Sequence, residues 1–147
     1  MALFQAFDIS ASGMTAQRFR TDIIAENVAN VNTTRTEDGT PYRRKIVTFA
    51  EKTDNSFRDV MARTSRFTGG DGVKVSTVAE DDSTDFVMEY DPSHPDADQN
   101  GYVSYPNVNI VTEMTNLIDA SRSYEANVTA FNAVKSMAES GLQVGKQ

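Results

Sequence analysis

The sequence predicts an α+β protein in which long N- and C-terminal helices form a coiled-coil-like helical domain around a small β-rich insertion. Three observations carry this reading. Residues 107–140 contain neither glycine nor proline, the composition of one long helix. All four prolines and five of the eight glycines fall within residues 36–106, where they punctuate turns. That same stretch holds fourteen acidic and eight basic residues, whereas the two flanks together hold seven and six. The chain therefore divides into nearly neutral ends, 1–35 and 107–147, and an acidic, turn-rich centre, 36–106.

The first element is a helix from about Phe4 to Asn30, broken by no proline and containing one glycine, Gly13. Phe4, Phe7, Ala11, Met14, Thr21, Ala25 and Val28 recur at three- and four-residue spacing, with Arg18 interrupting, while Ile9, Ala16, Phe19, Ile23 and Ile24 lie off that line. A helix apolar on more than one side calls for several neighbours. Asn27, Asn30 and Asn32 close it, since asparagine tolerates the left-handed conformation and bonds nearby backbone. Partial burial of their amides would fix how the chain leaves the helix.

The centre reads as short strands at 44–50, 73–76, 86–90 and 102–105, each rich in β-branched or aromatic residues. Glu37–Pro41, Glu80–Asp82 and Asp91–Pro95 are turns, and residues 51–72 have weak periodicity and read as a loop, with or without a short helix.

The last element is the strongest. Ile110, Met114, Leu117, Ser121, Tyr124, Val128, Phe131, Lys135, Ala138 and Leu142 alternate four- and three-residue steps, a heptad line over more than four heptads. Asn109 is placed to cap it, and Gly141 and Gly145 mark its end. Such a helix would be roughly 45–50 Å long at 1.5 Å per residue, more than a small domain can cover. Pairing with the first helix still leaves apolar flanks on both, which favours assembly with other chains. The expected contact residues are Phe7, Met14, Ile24, Val28, Met114, Leu117, Ser121, Tyr124, Val128 and Phe131.

Other functions find little support. A net charge of −7 argues against nucleic acid, whose binding is dominated by cationic contacts to phosphate, and Arg43-Arg44-Lys45 is too short a run to offset it. With no cysteine and one histidine, His94, neither thiolate nor multi-histidine metal sites are available within one chain. Asp96-Ala97-Asp98-Gln99-Asn100-Gly101 matches the opening of a calcium loop, yet Asn107 stands where the motif requires a bidentate glutamate. A polar hairpin turn ending in Asn-Gly accounts for the same residues, and Glu80-Asp81-Asp82 reads as a solvated turn. No phosphate loop, nucleophile elbow or carboxylate pair points to an enzyme, so no catalytic residue, metal, cofactor or small-molecule substrate is expected. No run of about 18 apolar residues spans a membrane, and no cleavable secretory signal is visible.

Two segments carry a family resemblance. Ala25-Glu26-Asn27-Val28-Ala29-Asn30-Val31-Asn32-Thr33 resembles the N-terminal signature of flagellar rod and hook proteins. Glu113-Met114, then Ala120-Ser121-Arg122-Ser123-Tyr124-Glu125-Ala126-Asn127-Val128 and Lys135, resemble their C-terminal signature. The turns at 38–43 and 91–95, Gly101-Tyr102-Val103 and Pro106-Asn107-Val108, together with the short length, are similar to the proximal-rod members. The resemblance implies a structural subunit of the proximal rod of the bacterial flagellar basal body, stacked helically into the drive shaft that carries motor torque. It implies, as partners, copies of itself, other rod proteins, neighbouring basal-body components and the flagellar type III export apparatus. Export would proceed without a cleaved signal, placing the protein outside the inner membrane, in the periplasm of a diderm.

Overall fold

The computed structural model describes residues 2–52 and 72–145; the expected loop at 51–72 lies almost wholly outside them. Helix α1 is Ala2–Ala29 and helix α2 is Ile110–Val144. Between them come β1 (Lys45–Glu51), β2 (Val73–Glu80), β3 (Val87–Tyr90) and β4 (Tyr102–Tyr105), paired as two two-stranded sheets, β1-β2 and β3-β4. The α+β class and the order helix, strands, helix are those expected.

Several boundaries move. β2 runs on to Glu80 instead of stopping at Ser76, because the ladder continues to Asp81, whose N–H donates to the Arg44 carbonyl at 2.8 Å. At the other end the Lys52 N–H donates to the Gly72 carbonyl at 2.8 Å, so the two strands run antiparallel. Gly141 does not end α2; the helix passes through it to Val144 and the Gly145 N–H closes the last turn on the Gly141 carbonyl at 3.2 Å. An exposed glycine costs a helix only about 1 kcal/mol. Asn109 caps α2 as expected, its Oδ1 accepting the Thr112 N–H at 3.2 Å.

The chain forms two compact units, each drawn from separate stretches. The first takes Met1–Phe19, Thr48–Ser76 and Ser121–Gln147. In it the helices pack antiparallel. The Phe7 and Phe131 rings meet edge to face at 4.9 Å, and Gly13 lies so close to α2 that a Cβ there would sit 2.7 Å from Asn127 Oδ1. A Cβ there would have to displace the Asn127 carboxamide, which donates to the Ser123 carbonyl at 2.8 Å. Ser12 joins the sheet to α1: its Oγ donates to the Ile9 carbonyl at 2.7 Å and accepts the Val73 N–H at 3.1 Å.

The second unit takes Arg20–Val47 and Thr77–Ala120. Its hairpin β3-β4 is antiparallel, with Val87 opposite Tyr105 and Tyr90 opposite Tyr102; the last two rings stack edge to face at 5.3 Å. Asp98 Oδ1 accepts the N–H groups of Asn100 and Tyr102 at 2.8 and 2.9 Å, and Gly101 takes φ +82°. Only glycine adopts that conformation without strain, which explains the Asn-Gly ending of the turn.

Candidate functional site

The second unit buries Asn27, Asp81, Asn107 and Glu113 alongside the apolar Ile24, Val103, Val108 and Ala120. Asn27, in the last turn of α1, is 1% exposed. Its Nδ2 donates to the Lys45 carbonyl at 2.9 Å and to Glu113 Oε2 at 3.2 Å; its Oδ1 accepts the Tyr42 hydroxyl at 2.8 Å and the Lys45 N–H at 2.9 Å. A side-chain carboxamide carries a donor and an acceptor side by side, as a peptide group does. Asn27 thus pairs with the first residue of β1 as a neighbouring strand would, and all its bonding capacity is used.

Glu113, in the first turn of α2, is likewise 1% exposed. Arg44 Nε and Nη2 both lie 2.8 Å from its Oε1. A carboxylate left unpaired in such a place costs about 3–5 kcal/mol; here both oxygens are engaged. Asn107, also buried, binds the other side of the same strand entry. Its Oδ1 accepts the Arg44 N–H at 2.8 Å, and its Nδ2 donates to the carbonyls of Asp81 and Thr84 at 2.9 and 3.1 Å. Two asparagines, one at each helix, hold the backbone of Arg44 and Lys45.

Tyr42 is buried in this joint. Burial first, then the carboxylates of Glu26, Glu80 and Glu113, push its phenol up to about 12. Asp81 departs from the expected solvated turn: it is buried, and its carboxylate accepts from Ser83 Oγ at 2.6 Å and Thr84 Oγ1 at 3.1 Å. Hydrogen bonding from Ser83 holds that carboxyl below the usual range. Asp82 does remain exposed, paired with Arg43 at 3.1 Å. The basic run is fully occupied within the chain: Arg43 lies 4.5 Å over the Phe86 ring, Arg44 binds Glu113, and Lys45 pairs with Glu26.

Asn30 bonds back to the Glu26 carbonyl at 2.9 Å and accepts from Thr33 Oγ1 at 3.1 Å, whereas Asn32 is exposed. The would-be calcium ligands serve the local fold. Asp96 accepts the Thr34 hydroxyl at 2.9 Å and pairs with Arg35, and Asp98 holds its own turn. His94 Nδ1 accepts the Asp96 N–H at 3.1 Å and its ring packs on Tyr105.

The heptad line expected on α2 is turned inward only in part. In the second unit Glu113 and Ala120 are buried and Asn116 and Leu117 half-buried, while Ile110, Met114 and Ile118 are about half exposed and Val111 is 76% exposed. In the first unit Asn127, Val128, Phe131, Val134 and Ala138 are half-buried, and Ser121 and Tyr124 are exposed. On α1, Phe7, Met14 and Val28 are half-buried and Ile24 is buried. Leu117, Val128 and Phe131 are therefore partly covered within the single chain. Val111 and Ile118, which periodicity did not single out, are open beside Ile110 and Met114. Their i, i+7 spacing beside Met114 was the available signal.

Both ends of the chain match flagellar rod families. The family described as "Flagella basal body rod protein" matches residues 7–35, and "Flagellar basal body rod FlgEFG protein C-terminal" matches residues 99–144. These segments contain Asn27 and Glu113, so the matched regions meet in the joint. The class is that of structural subunits of the flagellar basal-body rod. Proteins named flagellar basal-body rod protein FlgC extend the similarity over the whole chain. The Bacillus subtilis protein is 46% identical over 99% of this chain and 100% of its own, and that of Borreliella burgdorferi 44% identical over 98% of each. An Escherichia coli protein is 44% identical over 99% of this chain and 100% of its own. The chain belongs to the FlgC family of flagellar basal-body rod proteins.

Proposed function

We propose that this chain is a subunit of the proximal rod, stacking helically with copies of itself and other rod proteins into the shaft that transmits motor torque. Heterologous contacts that do not close generate such filaments. The observation that carries the reading is the outward apolar face of α2, with Ile110, Val111, Met114 and Ile118 open in a family of rod proteins. Exposed contiguous apolar surface marks an interaction site. Residues 1–35 and 107–147 would form the inner axial domain and residues 36–106 the outer one. Phe7, Met14, Val28, Met114, Leu117, Ser121, Tyr124, Val128 and Phe131 belong to or border the assembly surfaces, while Ile24 supports them from inside.

The role is structural and not enzymatic, with no cofactor. The subunit would reach the rod through the flagellar type III export apparatus without a cleaved signal, contact neighbouring basal-body components, and lie outside the inner membrane. The test is to delete the native gene, restore it with an epitope-tagged copy, and image purified hook–basal bodies with gold-labelled antibody. Label on the proximal shaft is expected. Tagged protein that restores motility but is missing from the shaft would overturn the proposal.

A further inference from the structure

The inward line of α2 in the second unit is not the most apolar one available. Ile110, Met114 and Leu117 lie on one line at four- and three-residue steps, and Val111 and Ile118 flank it. A helix placed by apolar burial alone would turn that line to the core. Instead the chain buries Glu113 and Ala120, half-buries Asn116 and, of that line, Leu117 alone, and leaves Ile110, Val111, Met114 and Ile118 out. Something overrides the hydrophobic preference, and the polar joint is where it acts.

We infer that the Glu113 carboxylate, held by Arg44 and Asn27, is the positioning group that sets the rotation and register of α2 and turns its apolar line outward for a partner. Buried ion pairs are close to break-even in stability against apolar groups of the same volume. What they supply is a penalty on every alternative placement. A slip of one turn, about 5.4 Å, breaks the bonds from Arg44 and Asn27 to Glu113 together and leaves a carboxylate buried and unpaired. Rotation that brought Met114 inward would do the same.

Asn27 cannot follow Glu113 to a new position, because its other bonds hold the Lys45 backbone and the Tyr42 hydroxyl. Arg44 is likewise anchored, its N–H by Asn107 and its carbonyl by the Asp81 N–H. The receiving side is rigid, and only one placement of α2 satisfies it. That the outward face meets a partner rests on the rod reading; the rotational setting of α2 does not.

The test uses the full chain, which has no cysteine. Met114→Cys is made alone and together with the pair Arg44→Met and Glu113→Leu, which replaces the ions with apolar side chains of similar volume. Thiol reaction with a soluble maleimide and urea unfolding are measured on dilute protein. Met114→Cys alone should react within a few-fold of a free peptide thiol. With the ion pair replaced, labelling should slow at least tenfold, because α2 turns its apolar line inward, while the urea midpoint serves to show that the variant is folded, since the buried Asn27 amide has lost an acceptor whether or not α2 moves. Unchanged labelling would overturn the inference, since α2 would then be placed without Glu113. So would faster labelling, since α2 would then have loosened without turning its apolar line inward. Neither measurement involves the basal body, so failure here is distinct from failure of the gold-label test.

Discussion

Glu113 and Asn27 stand 86 positions apart in the sequence, and their side chains meet at 3.2 Å where each is all but closed to water. One belongs to the start of α2 and the other to the end of α1, and Lys45 at the start of β1 is bonded to the same amide. The chain's two matched family segments are joined at this contact.

Replacing the Asn27 amide tests the joint directly. Asn27→Asp keeps the shape but removes both donors and sets a second carboxylate against Glu113. A buried charge without a partner costs about 3–5 kcal/mol, so the variant should unfold at much lower urea at pH 7. Asn27→Ala, which leaves the Lys45 backbone and Tyr42 unpaired, should cost about 2–3 kcal/mol. A parental midpoint for Asn27→Asp, followed by helical circular dichroism, would show that the amide holds nothing.

Tyr42 supplies an alkaline signature. Its phenol is pushed up to about 12 in the folded chain, against about 10 in the unfolded one. The neutral form is favoured by folding, so its contribution is complete below pH 10 and is lost as pH rises toward 12. The melting temperature of the parent minus that of Tyr42→Phe, taken from pH 8 to 12, should fall across that window. At pH 8 the variant should be weaker by about 1 kcal/mol, the net worth of one hydrogen bond. A difference independent of pH would place the phenol in water.

Gly13 is a prediction about packing. Alanine is a better helix former by about 1 kcal/mol, yet its Cβ would fall 2.7 Å from Asn127 Oδ1. We expect Gly13→Ala to destabilise by about 1 kcal/mol, within the range for overpacking. In an Asn127→Ala background the same change should instead stabilise. A double-mutant cycle by urea unfolding reads the coupling; strictly additive effects would mean that the helices are not in contact there.

The outward face of α2 separates assembly from folding. Val111→Asp and Ile118→Glu change exposed positions, so the single chain should keep its stability within about 0.5 kcal/mol. In a strain carrying only the variant, hook–basal bodies should be absent and cells non-motile. Val128→Asp is less selective, because Val128 is half-buried in the chain itself and its loss would reduce stability too. Normal basal bodies from both Val111→Asp and Ile118→Glu would show that this face is not an assembly surface.

By itself the sequence determined the elements. Two helices followed from proline-free, periodic stretches, the strands from β-branched alternation between turn residues, and the cap at Asn109 from its place before an apolar run. These are local signals, since backbone hydrogen bonds in helices and tight turns reach only a few residues along the chain. The asparagines at 27 and 30 were legible as a helix end for the same reason. Tertiary structure decided which way α2 faces, that Asp81 is enclosed, and that Asn27 closes on Lys45 and Glu113. Apolar periodicity counts hydrophobic positions and favoured the line through Met114. The chain instead follows Glu113, whose partners come from α1 and the strand entry, and a bond across 86 residues leaves no period to read.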